Sequence, residues 1–180
     1  MPHPTLLGLS GSLRKQSTNR LLLREAARLF GDAEYIEGDL DFPLYNGDNE
    51  AAEGVPASVQ ILADQIAAAD AVVISTPEYN KGLSGVLKNA LDWVSRTKGG
   101  PWAGKPVAIV SAAAGRSGGV SAQMTLRACM VAFRPRILQG PEVHLANSSN
   151  EFDDDGRLKS EIYTKTLTDL MTALRVEIDR

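Results

Sequence analysis

Two hydrophobic rhythms alternate along the chain. Thr5 to Ser10, Ala71 to Ser75 and Val107 to Ala112 are near-continuous apolar runs. That is the pattern of strands covered on both faces. Ala71-Val72-Val73-Ile74-Ser75 is the most strand-like of them, being rich in β-branched residues. Ala33 to Glu37 is a shorter candidate strand, and Ile137 to Leu145 a weaker one, interrupted by Gly140-Pro141. Between these runs the apolar positions recur at helical spacing. Ser17 to Phe30 carries Leu22, Ala26, Leu29 and Phe30, with Ser17 or Thr18 as its N-cap. Pro56 opens a helix with the stripe Val59, Leu62, Ala63 and Ile66. Further helices are expected over Ser84 to about Arg96, about Val120 to Phe133, and Ser160 to Ile178.

The order reads βαβαβαβαβα. Helical crossovers between apolar strands require a parallel sheet with helices on both faces. The expected fold is an α/β, flavodoxin-like three-layer sandwich with a five-stranded parallel sheet in the order 2-1-3-4-5, in one domain spanning residues 1–180. Asp39 to Gly54 is turn-rich and is expected to be an ordered loop, packed on the body through Phe42, Leu44 and Tyr45.

Composition narrows the function classes. The chain has 180 residues, 43% hydrophobic and 23% charged. At this size roughly 70% of the unfolded surface is buried on folding. A net charge of −3 argues against nucleic acid as a partner. The single cysteine, Cys129, permits no intrachain disulfide and lies in an apolar helical stretch, where it reads as a core residue. Met1-Pro2-His3-Pro4 shows no signal-peptide pattern, and no apolar run approaches the ~20 residues of a membrane span. A cytoplasmic protein is expected. His3 and His144 belong to no metal-like cluster. Glu151 to Gly156 mimics part of a calcium loop, but counting Gly156 as the sixth position puts Ile162 where a bidentate Glu is required. It reads as a turn feeding the last helix.

The candidate chemistry sits in two loops. Strand 1 runs into Ser10-Gly11-Ser12-Leu13-Arg14-Lys15-Gln16-Ser17-Thr18-Asn19, which then becomes a helix N-terminus. Backbone N–H groups, a positive dipole end, hydroxyls and Arg14 converge there on an anion. The loop is neither a G-x-G-x-x-G fingerprint nor a P-loop, and it has no cysteine nucleophile. It is suited to hold a phosphate, not to hydrolyse one. Strand 3 ends in Pro77-Glu78-Tyr79-Asn80, a rigid turn that is no more than a turn by itself. In the expected topology both loops open at the switch point between strands 1 and 3, with Ala113 to Gly119 beside them. There the turn faces a flat heteroaromatic ligand.

Together the two loops carry a resemblance. The first contributes Gly11-Ser12-Leu13-Arg14-Lys15-x-Ser17-x-Asn19. The second runs from Pro77-Glu78-Tyr79-Asn80-x-Gly82-x-Ser84-Gly85 to Lys88-Asn89-Ala90-Leu91-Asp92-Trp93-x-Ser95-Arg96. Both strongly resemble the NADPH-dependent FMN reductase family, which includes bacterial quinone, chromate and azo-dye reductases. Ala103-Gly104-Lys105-Pro106-Val107 and Pro141-Glu142 also fit it, so the resemblance spans nearly the whole chain. It implies FMN as cofactor and NADPH or NADH as electron donor. It implies that Ser12, Arg14, Ser17, Thr18 and Asn19 hold the phosphate end, beside Ser10, a further hydroxyl donor of the loop and an expected cofactor-binding residue, and that Pro77, Glu78, Tyr79 and Asn80 hold the ring. Ser111, Ala112 and Gly115, in the segment to Gly119, would close the ring's far side. Arg116 departs from the pattern and reads as solvent-facing. The expected reaction is a ping-pong transfer of two electrons to a quinone, ferric chelate, chromate or azo compound, with no protein acid or base required. The alternatives are a flavodoxin-like electron carrier or redox sensor and, more weakly, a phosphate-binding hydrolase.

The family is similarly dimeric or tetrameric. Along Ser84 to Arg96, Leu87, Ala90, Leu91 and Val94 form one face, and Val86 and Trp93 widen it beyond what one sheet covers. This helix is therefore expected at the interface of a homodimer or dimer of dimers. Arg127 and Glu142 are candidates to pair there or on the surface.

Overall fold

The apolar runs do become the sheet. The computed structural model describes residues 3–180. Its strands are β1 (Thr5–Ser10), β2 (Glu34–Gly38), β3 (Ala71–Thr76), β4 (Pro106–Ala112), β5 (Arg136–Ile137) and β6 (Val143–Leu145). All the pairings are parallel, in the order β2-β1-β3-β4-β5, and β6 also pairs with β4. The fold is flavodoxin-like, with the order reversing between β1 and β3.

Because these strands are covered on both faces, successive residues feed opposite layers. Leu7, Leu9, Val72, Ile74, Val107 and Ile109 point into one layer, under α3 (Ala57–Ala68), α4 (Gly85–Val94) and α5 (Val120–Met130). Leu6, Val73, Ala108 and Val110 point into the other, under α1 (Thr18–Phe30) and α6 (Glu161–Ile178). Each fully buried leucine here contributes roughly 1.5–3 kcal/mol. The caps follow the hydroxyls: Ser17, Ser84 and Ser160 accept from the N–H groups of Asn19, Leu87 and Tyr163.

Three local expectations change. The weak strand over 137–145 is two strands sharing one sheet position beside β4. Gly140-Pro141 lies in the segment that leaves the ladder between them, and proline has no N–H to give it. The turn-rich 39–54 segment contains a short helix, α2 (Gly47–Glu53), begun by Asn46, whose side chain accepts from Asp48 N–H.

The third correction concerns Trp93. It is only 2% exposed. The 39–46 segment folds over it: Trp93 Nε1 donates to the Pro43 carbonyl at 2.7 Å, and the Tyr45 ring meets it edge-on at 5.0 Å. Asn89 fastens the same segment, donating to Pro43 O and accepting from Tyr45 N–H. The apolar arc that looked too wide for one sheet is covered by the chain's own loop. Within the chain Arg127 and Glu142 form no ion pair; Arg127 donates to the Leu138 carbonyl, and Glu142 lies 3.4 Å from His144. Among the described residues no helix is long and apolar enough to cross a membrane.

Candidate functional site

The carboxyl ends of β1, β3 and β4 lie level, since Ser10 pairs with Ser75 and Thr76 with Ser111. Their loops open on one edge of the sheet. Gly11 shows how closely the first two meet. A Cβ there would lie 2.9 Å from the Pro77 ring and 2.6 Å from Leu87, so only glycine fits without a shift. The loops enclose a cavity of about 480 Å3, within the usual size of a small-molecule site.

Ser12, Arg14, Ser17, Thr18 and Asn19 line it from the loop after β1 and the start of α1. Pro77, Glu78, Tyr79 and Ala112 line it from the ends of β3 and β4. Ser10, Asn80, Ser111 and Gly115 are not on its wall. Each of the first three has a visible local task. Ser10 Oγ closes the first turn, donating to Ser12 O and accepting from Ser12 N–H. Asn80 adopts a positive φ, as does Lys81, in a two-residue hairpin closed by reciprocal Tyr79–Gly82 hydrogen bonds. That hairpin presents the Tyr79 ring, 52% exposed. Ser111 Oγ donates to Gly118 O at 2.6 Å and fixes the loop after β4. Ala113 and Ala114, in the segment expected beside the two loops, are on the wall, and sequence reasoning missed Gln16, Leu21, Ser148 and Ser149 there. Gln16 and Leu21 could have been read from the α1 loop. Ser148 and Ser149 carried no signal, because they reach the cavity from the loop after β6.

Two side chains expected at the ligand also hold the loops together. Asn19 Oδ1 accepts from Ser75 Oγ (2.8 Å) and Ala112 N–H (3.1 Å), while its Nδ2 donates to Ala112 O (3.0 Å). It ties α1 to the ends of β3 and β4. Glu78 Oε2 accepts from the N–H groups of Ser121 (3.0 Å) and Ala122 (3.3 Å), and Lys81 lies 3.6 Å from Oε1. The N-cap position of α5 is Gly119, which has no side chain to cap the helix. Glu78 therefore caps it from another loop, with its charge at the positive end of the helix.

Ser111, His144 and Glu142 have the sequence of contacts of a hydrolytic triad. Ser111 Oγ is 3.4 Å from His144 Nδ1, and His144 Nε2 is 3.4 Å from Glu142. Ser111 is fully buried and its hydroxyl is committed to Gly118. A nucleophile must reach substrate, so this array does not perform acyl or phosphoryl transfer.

An anion cradle and an aromatic slot share one crevice at the switch point. That combination marks the crevice of this flavodoxin-like fold as the candidate small-molecule site. Residues 4–150 match the family model for NADPH-dependent FMN reductases. An NAD(P)H-dependent FMN reductase of Pseudomonas aeruginosa is 42% identical over 177 residues, covering 97% of this chain and 95% of the relative. The Escherichia coli quinone reductase is 38% identical over 176 residues, covering 96% and 94%. The solved structure of FerB, an NAD(P)H:acceptor oxidoreductase flavoenzyme from Paracoccus denitrificans, superposes with a TM-score of 0.87 at 33% identity, covering 98% of this chain and 97% of that one. The chain belongs to the NADPH-dependent FMN reductase family. It is an oxidoreductase of the kind that works with FMN and a reduced pyridine nucleotide.

Proposed function

We propose that the protein is an NAD(P)H-dependent FMN oxidoreductase acting on quinones, with ferric chelates, chromate and azo compounds as further acceptors. The observation that carries this reading is the shared crevice, where the hydroxyl- and arginine-bearing loop and the Tyr79 hairpin wall one cavity.

The residues fit FMN. Around the α1 N-terminus the cavity offers Ser12, Arg14, Ser17 and Thr18, which suits a phosphate. The Pro77–Tyr79 turn and the small side chains of Ala112, Ala113 and Ala114 line the same cavity, which suits a flat ring. A flavin held there would supply two-electron redox chemistry between a reduced nicotinamide and the acceptor, which would use the site in turn. The chain's own work is positioning. Arg14 and the hydroxyls fix the phosphate, and the Tyr79 hairpin and the alanine run set the plane of the ring. Apart from Glu78, the cavity wall has no carboxylate or imidazole among the described residues, and that carboxylate is engaged by α5. The half-exposed Tyr79 edge leaves room for donor and acceptor to occupy one position in turn. A cytoplasmic location agrees with a single cysteine, which has no disulfide partner in the chain.

The test is a visible spectrum of the purified protein, followed by stopped-flow mixing with NADPH or NADH and then a quinone. Rapid bleaching of a bound flavin and its return on adding quinone are expected. Arg14→Ala should weaken FMN retention by about tenfold, the worth of a hydrogen bond to a charged group. A bound flavin inert to both nucleotides would instead favour an electron carrier or sensor.

A further inference from the structure

One wall of the cavity comes from a part of the chain that the two loop motifs do not reach. Ser148 follows β6 and is 4% exposed. Its hydroxyl lies 3.0 Å from that of Thr18, on the first turn of α1. Both residues line the same cavity as Arg14 and Ser17. Two hydroxyls hold two protons, and the contact between them uses one. Among the described residues neither oxygen has another partner. One O–H of the pair is therefore left to donate outside it, at the positive end of a helix dipole.

The position of Ser148 is fixed from several sides. Its N–H donates to Ala113 O at 3.1 Å, and Ala113 N–H donates to Leu145 O at 3.0 Å. The loop beyond it is closed by the Phe152–Leu158 bridge. Arg157 then anchors the loop to α1 through the buried Glu25, at 3.2 Å. A hydroxyl held this firmly loses little freedom on binding, so its hydrogen bond is gained at low entropic cost.

We infer that Ser148 is a further cofactor-binding residue, acting with Thr18 as a hydroxyl pair that donates one hydrogen bond to the phosphate of the bound flavin nucleotide. This rests on the FMN reading above and adds a third chain segment to the phosphate site. A free hydroxyl beside a helix N-terminus selects an anionic oxygen over a neutral one. The pair therefore distinguishes the phosphorylated flavin from riboflavin, which ends in an alcohol.

Equilibrium dialysis of the purified protein against FMN and, separately, riboflavin tests it, using wild type, Ser148→Ala, Thr18→Val and the double variant. Ser148→Ala should weaken FMN about tenfold and leave riboflavin unchanged. The double variant should lose less than the product of the two single losses, because each single change already breaks the pair. A purely structural role would lower both flavins together. Equal losses for the two flavins, or unchanged FMN affinity in Ser148→Ala, overturn the assignment. Wild-type protein that binds no FMN overturns the function reading itself, and this one with it.

Discussion

Gly119, the N-cap position of α5, has no side chain to accept from the helix's first N–H groups, and Glu78 supplies that acceptor from the turn after β3. A backbone reason excludes a capping residue at 119. Its φ is +96°, and a Cβ there would lie 2.7 Å from Ser111. The cap must therefore come from elsewhere, and Glu78 is almost buried between the two segments it joins. Glu78→Ala should cost about 1–2 kcal/mol, lowering Tm by roughly 2–8 °C in a chain of this size. Glu78→Gln retains an acceptor and should recover all but the charge–dipole part, about 0.3–1 kcal/mol. Thermal melts followed by circular dichroism decide it; a Gln variant as damaged as the Ala variant counts against a capping role. From the sequence Glu78 was legible as a site residue but not as a cap, since nothing in Pro77-Glu78-Tyr79-Asn80 announces a helix start more than forty residues away. Asn19 is the same case. Its position in the anion loop was plain, while its three bonds to Ser75 and Ala112 depend on the parallel crossover.

At the scale of elements, strands and long helices were readable because their apolar spacing is set by burial on one or both faces. Boundaries given by serine caps came out closely for the same local reason. What escaped was structure held by remote partners. Helix α2 carries no buried residue. Its segment is held instead by Asn89, Trp93 and the Arg96–Glu50 pair. The loop after β6 depends on Glu25 in the same way. Burial opposes ionisation of Glu25, but hydrogen bonds from Arg28 and Arg157 outweigh it and hold its carboxyl below the usual glutamate range. The sign follows from linkage. A carboxyl more acidic when folded contributes its full stability above the ordinary value of about 4.3 and loses it as pH falls through the lowered one. Glu25→Gln should therefore melt below wild type near neutrality, with the gap closing on acidification below about pH 4. Paired melts from pH 3 to 7 would show this; a gap independent of pH would remove the ion pair as its cause.

At the scale of the whole molecule, the switch point was the most legible feature. The βα alternation implies a doubly wound parallel sheet, and the order β2-β1-β3-β4-β5 brings the Ser10–Asn19 and Pro77–Asn80 loops together. Surface association was less legible, because Trp93 proved to be covered from within. The α4 side nevertheless keeps apolar surface in a groove lined by Leu13, Phe42, Leu44 and Val86, with Leu44 82% exposed. We propose that a second copy of the chain covers it, in a homodimer or dimer of dimers. Sedimentation at tens of micromolar should give a dimer or larger. Leu44→Asp, at a position that supports no core, should shift it toward monomer without changing the thermal melt of the subunit. Wild type sedimenting as a monomer rejects the proposal.

The division of the outermost strand into β5 and β6 has a consequence beyond topology. An open sheet ends in backbone groups with no neighbour, and a long, flat, unbroken margin invites foreign chains to add on. Here one margin is cut into a two-residue and a three-residue piece, with Pro141 in the gap. The opposite margin, β2, is five residues long and bears Glu34 and Glu37. Neither offers an incoming strand a continuous template. A sheet buried on both faces, and therefore rich in the residues that aggregate most readily, is shielded along its sides by interruption at one border and charge at the other.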